Sequence, residues 1–104
     1  MSGKKRGRGG TPPAAPAPGR RRLVVQPECF EDLRHWVKTD RKAALKAFDL
    51  IEATLRDPFA GIGKPEPLRH LGSYIWYRRI TQEDRLVYRV HHEYVDFLMA
   101  RYHY

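Results

Sequence analysis

The chain has one cysteine, Cys29, in 104 residues. That excludes an internal disulfide and any cysteine-cluster metal site, and it is consistent with a reducing cytosol. No apolar run approaches the roughly 20 residues of a membrane span. The basic start lacks the apolar segment of a secretory signal, so a cytoplasmic chain without membrane attachment is expected. There is no internal repeat and no H-E-x-x-H pattern. His91 and His92 are adjacent, so on a strand they point to opposite faces. Neither a metal site nor a cofactor is therefore implied. Acidic residues are missing from residues 1–22, which carry Lys4, Lys5, Arg6, Arg8, Arg20, Arg21 and Arg22. The rest of the chain is nearly balanced, so most of the formal charge of +8 belongs to the tail. It cannot be read as a nucleic-acid surface on the fold.

The first 21 residues are Gly, Pro, Ala and Lys/Arg without periodicity. Such a composition buries too little apolar surface to offset its ordering entropy and predicts a disordered tail. The tail could tether the protein to RNA or a ribosome by counterion release. It could also be incidental, the product of an upstream start codon. One small domain is expected over residues 22–104.

Arg22 to Val25 reads as a short strand leading into a helix at Gln26-Pro27, where Glu28, Glu31 and Asp32 suit the positive helix start. Phe30, Leu33 and Val37 share one face, with Trp36 beside them. Asp40 is the expected N-cap of a second helix running to about Arg56. Its stripe is Ala44, Phe48, Ile51 and Leu55, widened by Ala47, Leu50 and Thr54. Asp57-Pro58 stops it, and the two helices form a hairpin. Phe59 to Pro67 is read as a loop, Leu68 to Leu71 as a short strand turned at Gly72-Ser73, and Tyr74 to Ile80, Arg85 to His91 and Tyr94 to Arg101 as strands. In the second of these, Leu86, Tyr88 and Val90 face one way and Arg85, Val87, Arg89 and His91 the other. The predicted class is α+β: a small antiparallel sheet with an N-terminal helical hairpin on one face, in the order β-α-α-β-β-β. The other face is left open to a ligand.

Arg69, Arg78, Arg79, Arg85, Arg89 and Arg101 lie among Tyr74, Trp76, Tyr77, Tyr88 and Tyr102. Arginine clamps phosphate and aromatic faces stack on bases, so the set points to anion or RNA binding. The alternative is a sheet face solvated by arginine. Glu66 stands between Pro65 and Pro67, which narrow the directions its carboxylate can take. The chain closes on Arg101-Tyr102-His103-Tyr104, either an amphipathic edge of the core or a group that stacks, holds phosphate and moves protons. Together Glu66, His103 and the arginines form a complete set for RNA cleavage without a metal: a base for the 2′-OH, an acid for the leaving 5′-oxygen, and cations for the phosphorus centre.

Four ordered blocks carry a resemblance: Asp57-Pro58-Phe59-Ala60-Gly61-Ile62-Gly63-Lys64-Pro65-Glu66-Pro67-Leu68-Arg69-His70, Trp76-Tyr77-Arg78-Arg79-Ile80-Thr81, Arg85-Leu86-Val87-Tyr88, and Arg101-Tyr102-His103-Tyr104. Over residues 22–104 the chain resembles the Txe/YoeB-type toxins of type II toxin–antitoxin modules, within the RelE superfamily. The resemblance implies a RelE-like fold and ribosome-dependent cleavage of mRNA in the A site of the 70S ribosome. It also implies a cognate YefM-like antitoxin, and similar toxins form dimers. Carried over by position, the general base falls on Glu66, the phosphate-stabilising arginine on Arg85 and the general acid on His103. Arg79, Arg69 (where lysine is frequent) and Tyr104 fall on substrate-binding positions. Val25 and Phe30 stand where tryptophans are common, and the tail has no counterpart in compact members. The alternatives are a non-catalytic toxin similar to the gyrase-targeting ParE group, which lacks the Glu/Arg/His set, and a plain RNA- or ribosome-binding module.

Overall fold

The computed structural model describes residues 20–103. The predicted tail over residues 1–21, save Arg20 and Arg21, lies outside them, as does Tyr104. The elements are β1 (Arg22–Val25), α1 (Pro27–Thr39), α2 (Arg41–Arg56), β2 (Glu66–Pro67), a 3-10 turn (Arg69–Leu71), β3 (Ile75–Arg79), β4 (Arg85–Val90) and β5 (Tyr94–Tyr102). Among them, no helix is long and apolar enough to cross a membrane.

Both helix starts follow from local chemistry. Pro27 fills the first turn of α1, where an amide would have no partner. The Asp40 carboxylate accepts from the amide of Ala43 at 3.1 Å and caps α2. The α+β class and the helical hairpin hold. The sheet runs β1-β5-β4-β3-β2, and β3, β4 and β5 form an antiparallel meander extended by β2. β1 differs: it pairs parallel to β5, Arg22 beside Tyr94 through Val25 beside Phe97. The sheet is therefore mixed. Four residues do not encode a direction. It is set where the chain enters α1, by Gln26, whose amide bonds the Phe97 carbonyl and whose side chain reaches Asp96 at 2.7 Å.

Leu68 to Leu71 is not a strand. The Leu68 amide makes the last bond to β3, at the Ile75 carbonyl; Leu68 is buried, and the amide of Leu71 turns back onto the Leu68 carbonyl. The helix faces are also rotated from the sequence expectation. On α1 the buried residues are Cys29, Leu33 and Trp36, while Phe30 and Val37 are exposed. On α2 Phe48 is exposed, and Ala43 joins the buried stripe. Small side chains let the helices lie close to one another and to the sheet, and the larger Phe30, Val37 and Phe48 line a surface groove instead. Trp36 fixes the orientation: its indole donates to the Ala100 carbonyl at 2.8 Å, and Asp32 accepts from the Ala100 amide at 2.8 Å. Both groups of Ala100 are thus bonded by α1 close to where the β4–β5 register shifts.

The main core lies between the helices and the sheet and includes Leu50, Leu86, Tyr88, Val95 and Phe97. A second cluster lies on the opposite face: Leu68, Ile75, Tyr77 and Val87, with Leu98, Met99 and Tyr102 against it. Burial pushes the Tyr88 phenol above its usual pKa. It pushes the Cys29 thiol up to about 12, with Asp32, Glu28 and Asp96 adding to the effect.

Candidate active site

The loop between α2 and β2 is built around a cation. Arg78 is fully buried, and its guanidinium donates to the carbonyls of Asp57, Ala60 and Ile62 and to the Tyr88 hydroxyl. Tyr88 in turn donates to the Pro58 carbonyl at 2.7 Å. The C-terminal end of α2 supplies the negative pole of its dipole at the same place. Gly63 closes the loop at φ +83°, against α2, where a Cβ would lie 2.5 Å from Leu50 Cδ2. Its carbonyl accepts from Arg79 at 2.8 Å. Arg78 and Tyr88 therefore leave the set expected to bind RNA: their polar groups are spent on the fold.

The wrapped loop delivers Glu66 to the open face. Glu66 pairs across β2–β3 with Tyr77, whose hydroxyl donates to Glu66 Oε1 at 2.9 Å. The Arg85 guanidinium lies over the Tyr77 ring, 5.3 Å from its centroid, and donates to the Glu83 carbonyl at 2.9 Å. Tyr77 thus links the predicted base to the predicted phosphate ligand. Arg79 stands directly opposite Arg85 across β3–β4. Two like charges at facing positions repel in the absence of an anion. Arg79 also lines a hollow with Lys46 and Lys64. On the far side of Arg85 is Tyr102, its partner in β5, whose hydroxyl is 3.1 Å from His70 Nε2.

His103 follows Tyr102 and is exposed; its Nε2 lies 2.6 Å from Asp84 Oδ1 on the β3–β4 turn. Arg69 is placed apart, in a hollow beyond β2 with Pro67, Tyr74 and Trp76. Tyr104 lies outside the described residues. The structure thus gathers Glu66, Arg79 and Arg85, sets His103 on the turn that leads into Arg85, and keeps Arg69 at the margin. Sequence reasoning named Tyr77 and Tyr102 only among the aromatic faces for stacking, and it gave His70 and Asp84 no part in this site. Period-two alternation puts Tyr77 and Arg79 on one face, but only the β2–β3 register shows that Glu66 joins them. Among the described residues, no three His, Cys, Asp or Glu side chains stand together as a metal ion would need.

Comparison with known proteins agrees with this architecture. The sequence model of the YoeB-like toxins of bacterial type II toxin–antitoxin systems matches residues 25–104. Toxin RelK of Mycobacterium tuberculosis is 49% identical over 84 residues, 81% of this chain and 99% of that protein. The YoeB dimer from Staphylococcus aureus superposes with a TM-score of 0.75 at 34% identity, covering 82% of this chain and 99% of that one. The YoeB–YefM complex from the same organism gives a TM-score of 0.69 at 33% identity, with the same coverage. The fold is the one shared by these toxins, and the chain belongs to the YoeB-like toxin family of bacterial type II toxin–antitoxin systems.

Proposed function

We propose that this toxin is a metal-independent endoribonuclease that cuts mRNA in the A site of the 70S ribosome and so inhibits translation. The observation that carries the reading is the facing pair Arg79 and Arg85 beside Glu66. Two cations held opposite each other are a ready receptor for a bridging phosphate, and a carboxylate aligned beside them supplies the base. Glu66 takes the proton of the 2′-OH, and the oxygen attacks phosphorus. His103 protonates the 5′-oxygen as the P–O5′ bond breaks, leaving a 2′,3′-cyclic phosphate and a 5′-hydroxyl. Arg85 and Arg79 hold the extra negative charge that develops on the phosphoryl oxygens. Arg69 and Tyr104 contact the RNA. The hollow lined by Lys46, Lys64 and Arg79 supports a substrate with a charged backbone.

The toxin unit is residues 22–104, with residues 1–21 an appended basic tail, and the protein acts in the cytoplasm. By likeness to the S. aureus YoeB–YefM complex and YoeB dimer, a YefM-like antitoxin neutralises it and a homodimer is its free form. The test is cleavage of a defined mRNA set in the A site of purified ribosomes, with the 5′ ends mapped. A single cut in the A-site codon, lost in Glu66→Gln and in His103→Ala, is expected. Normal cutting by both variants, or growth arrest in cells without any cut, would refute the reading.

A further inference from the structure

Asp84 is a carboxylate that the reaction above does not use, yet it is the contact that holds His103. The β3–β4 turn fixes it from several sides. Its carbonyl accepts from the amides of Ile80 and Thr81 at 2.9 and 3.2 Å. Its own amide donates to Thr81 Oγ1 at 2.9 Å, and that hydroxyl donates back to Asp84 Oδ2 at 3.0 Å. With Oδ2 tied to Thr81, Oδ1 is turned to His103 Nε2 at 2.6 Å. The two partners are unequal: the Asp84 side chain is 14% exposed and the His103 side chain 65%. The carboxylate is part of the rigid turn, and the imidazole is the group that needs an anchor.

We propose that Asp84 is a positioning residue. It holds the His103 ring through Nε2 and so selects Nδ1 as the nitrogen that faces the leaving oxygen. The inference rests on the proposed function, because it assigns a partner to the acid of that reaction. A solvent-exposed imidazole on a chain beyond the last strand samples many rotamers, and holding it near one orientation raises the fraction of encounters that are productive. A carboxylate at one ring nitrogen also fixes which nitrogen bears the proton in the neutral ring. The proton inventory closes on this assignment. The imidazolium carries both N–H groups. The Nδ1 proton passes to O5′ as the P–O5′ bond breaks. The ring is left neutral with its remaining proton on Nε2, still bonded to Asp84, while the 2′-OH proton rests on Glu66. Asp84 directly precedes Arg85 in the chain, so the same turn places the acid's anchor and the phosphate ligand in one frame.

The experiment uses the full chain on programmed ribosomes, under single-turnover conditions over a range of ribosome concentrations, with Asp84→Ala, Asp84→Asn and His103→Ala beside the parent. Asp84→Ala should lower the maximal cleavage rate about tenfold or more and leave the half-saturating ribosome concentration within about twofold, because it changes orientation and not binding. Asp84→Asn keeps an acceptor at the same place and should fall between the two. Long-range proton–nitrogen NMR of the unbound parent should show neutral His103 protonated on Nε2, and Asp84→Ala should lose that preference. The NMR arm on the parent needs no variant to fold. A wild-type or faster rate in Asp84→Ala overturns the inference, the faster rate marking the contact as a brake. An Nδ1-protonated ring in the parent overturns it as well. If His103→Ala also cleaves normally, the reading of His103 as the acid falls. If His103→Ala is dead while Asp84→Ala is normal, only the role of Asp84 falls.

Discussion

Arg78 and Arg85 are both buried, on neighbouring strands of one sheet, and they are used in opposite ways. Arg78 points to the helix side and donates to three loop carbonyls and the Tyr88 hydroxyl, beside the negative end of α2. Arg85 is on the open side, laid over Tyr77 and set opposite Arg79. The difference is one of alternation. β3 carries Arg78 and Arg79 in succession, so a period of two sends one inward to organise a loop and the other outward to meet its counterpart on β4. The same guanidinium is scaffold on the dry face and the proposed phosphate ligand on the open one. Which role an arginine plays is decided by the partner strand and by what covers the sheet, neither of which is written at the arginine itself.

The sharpest way to break this comparison is to remove chemistry from the open face without touching the covered one. Glu66→Gln should lower A-site cleavage by about 100-fold or more and leave thermal unfolding essentially unchanged. A large drop in melting temperature would show that Glu66 is as structural as Arg78. On the covered face, Arg78→Met should cost about 3–5 kcal/mol of stability in denaturant titration, because three carbonyls and a phenol lose their donor in a dry site. Arg78→Lys should recover only part of that, since one ammonium cannot span a fork of four acceptors. If Arg78→Met unfolds at the parent's denaturant midpoint, the guanidinium is not what holds the loop.

Tyr77→Phe sharpens the boundary between the faces. It keeps the ring under Arg85 and deletes the hydroxyl that aligns Glu66, so cleavage should fall severalfold, on the order of 1 kcal/mol for one hydrogen bond, with unfolding little changed. A loss as large as that of Glu66→Gln would mean that the hydroxyl itself takes part in the reaction. The mildest test concerns dryness. Cys29 has its pKa raised in the fold, so the folded state keeps a proton that the unfolded state releases as pH rises above about 9. The stability contributed is complete below the unfolded pKa and is lost as pH climbs toward about 12. Cys29→Ala should flatten the fall of stability with pH over this range, followed by denaturant titration at successive pH values. An unchanged slope would show that water reaches the thiol.

Most of the fold was legible because it rests on local signals. Asp40 caps α2, Asp57-Pro58 ends it, and the alternation of β4 sorts Leu86, Tyr88 and Val90 from Arg85 and Val87 as observed. The misses share one cause, which is that a neighbour distant in sequence makes the decision. Phe30, Leu33 and Val37 do share a helical face, but β5 and α2 meet the face of Cys29, Leu33 and Trp36 instead. The direction of β1 comes from the junction at Gln26, and the 3-10 turn after Pro67 from the burial of Leu68. In the proposed site, Glu66 and Arg85 were named from chemistry and resemblance. Tyr77, which joins them, and Asp84, which holds His103, needed the strand register and the turn geometry.

The sheet order has a consequence for how this protein comes into being. β5 is the last strand in sequence yet lies inside the sheet, between β1 and β4, and α1 hangs its indole and a carboxylate on Ala100 of that strand. Among the described residues, β1 pairs with β5 and α1 bonds Ala100 of the same strand, across separations of about 70 residues. A nascent chain cannot bury the underside of its helices until β5 has been made. Non-local pairing of this kind makes folding slow relative to helical domains of the same length, and an incomplete chain lacks both its core and its site. The topology thus denies a chain that stops before β5 the sheet face on which the proposed site lies.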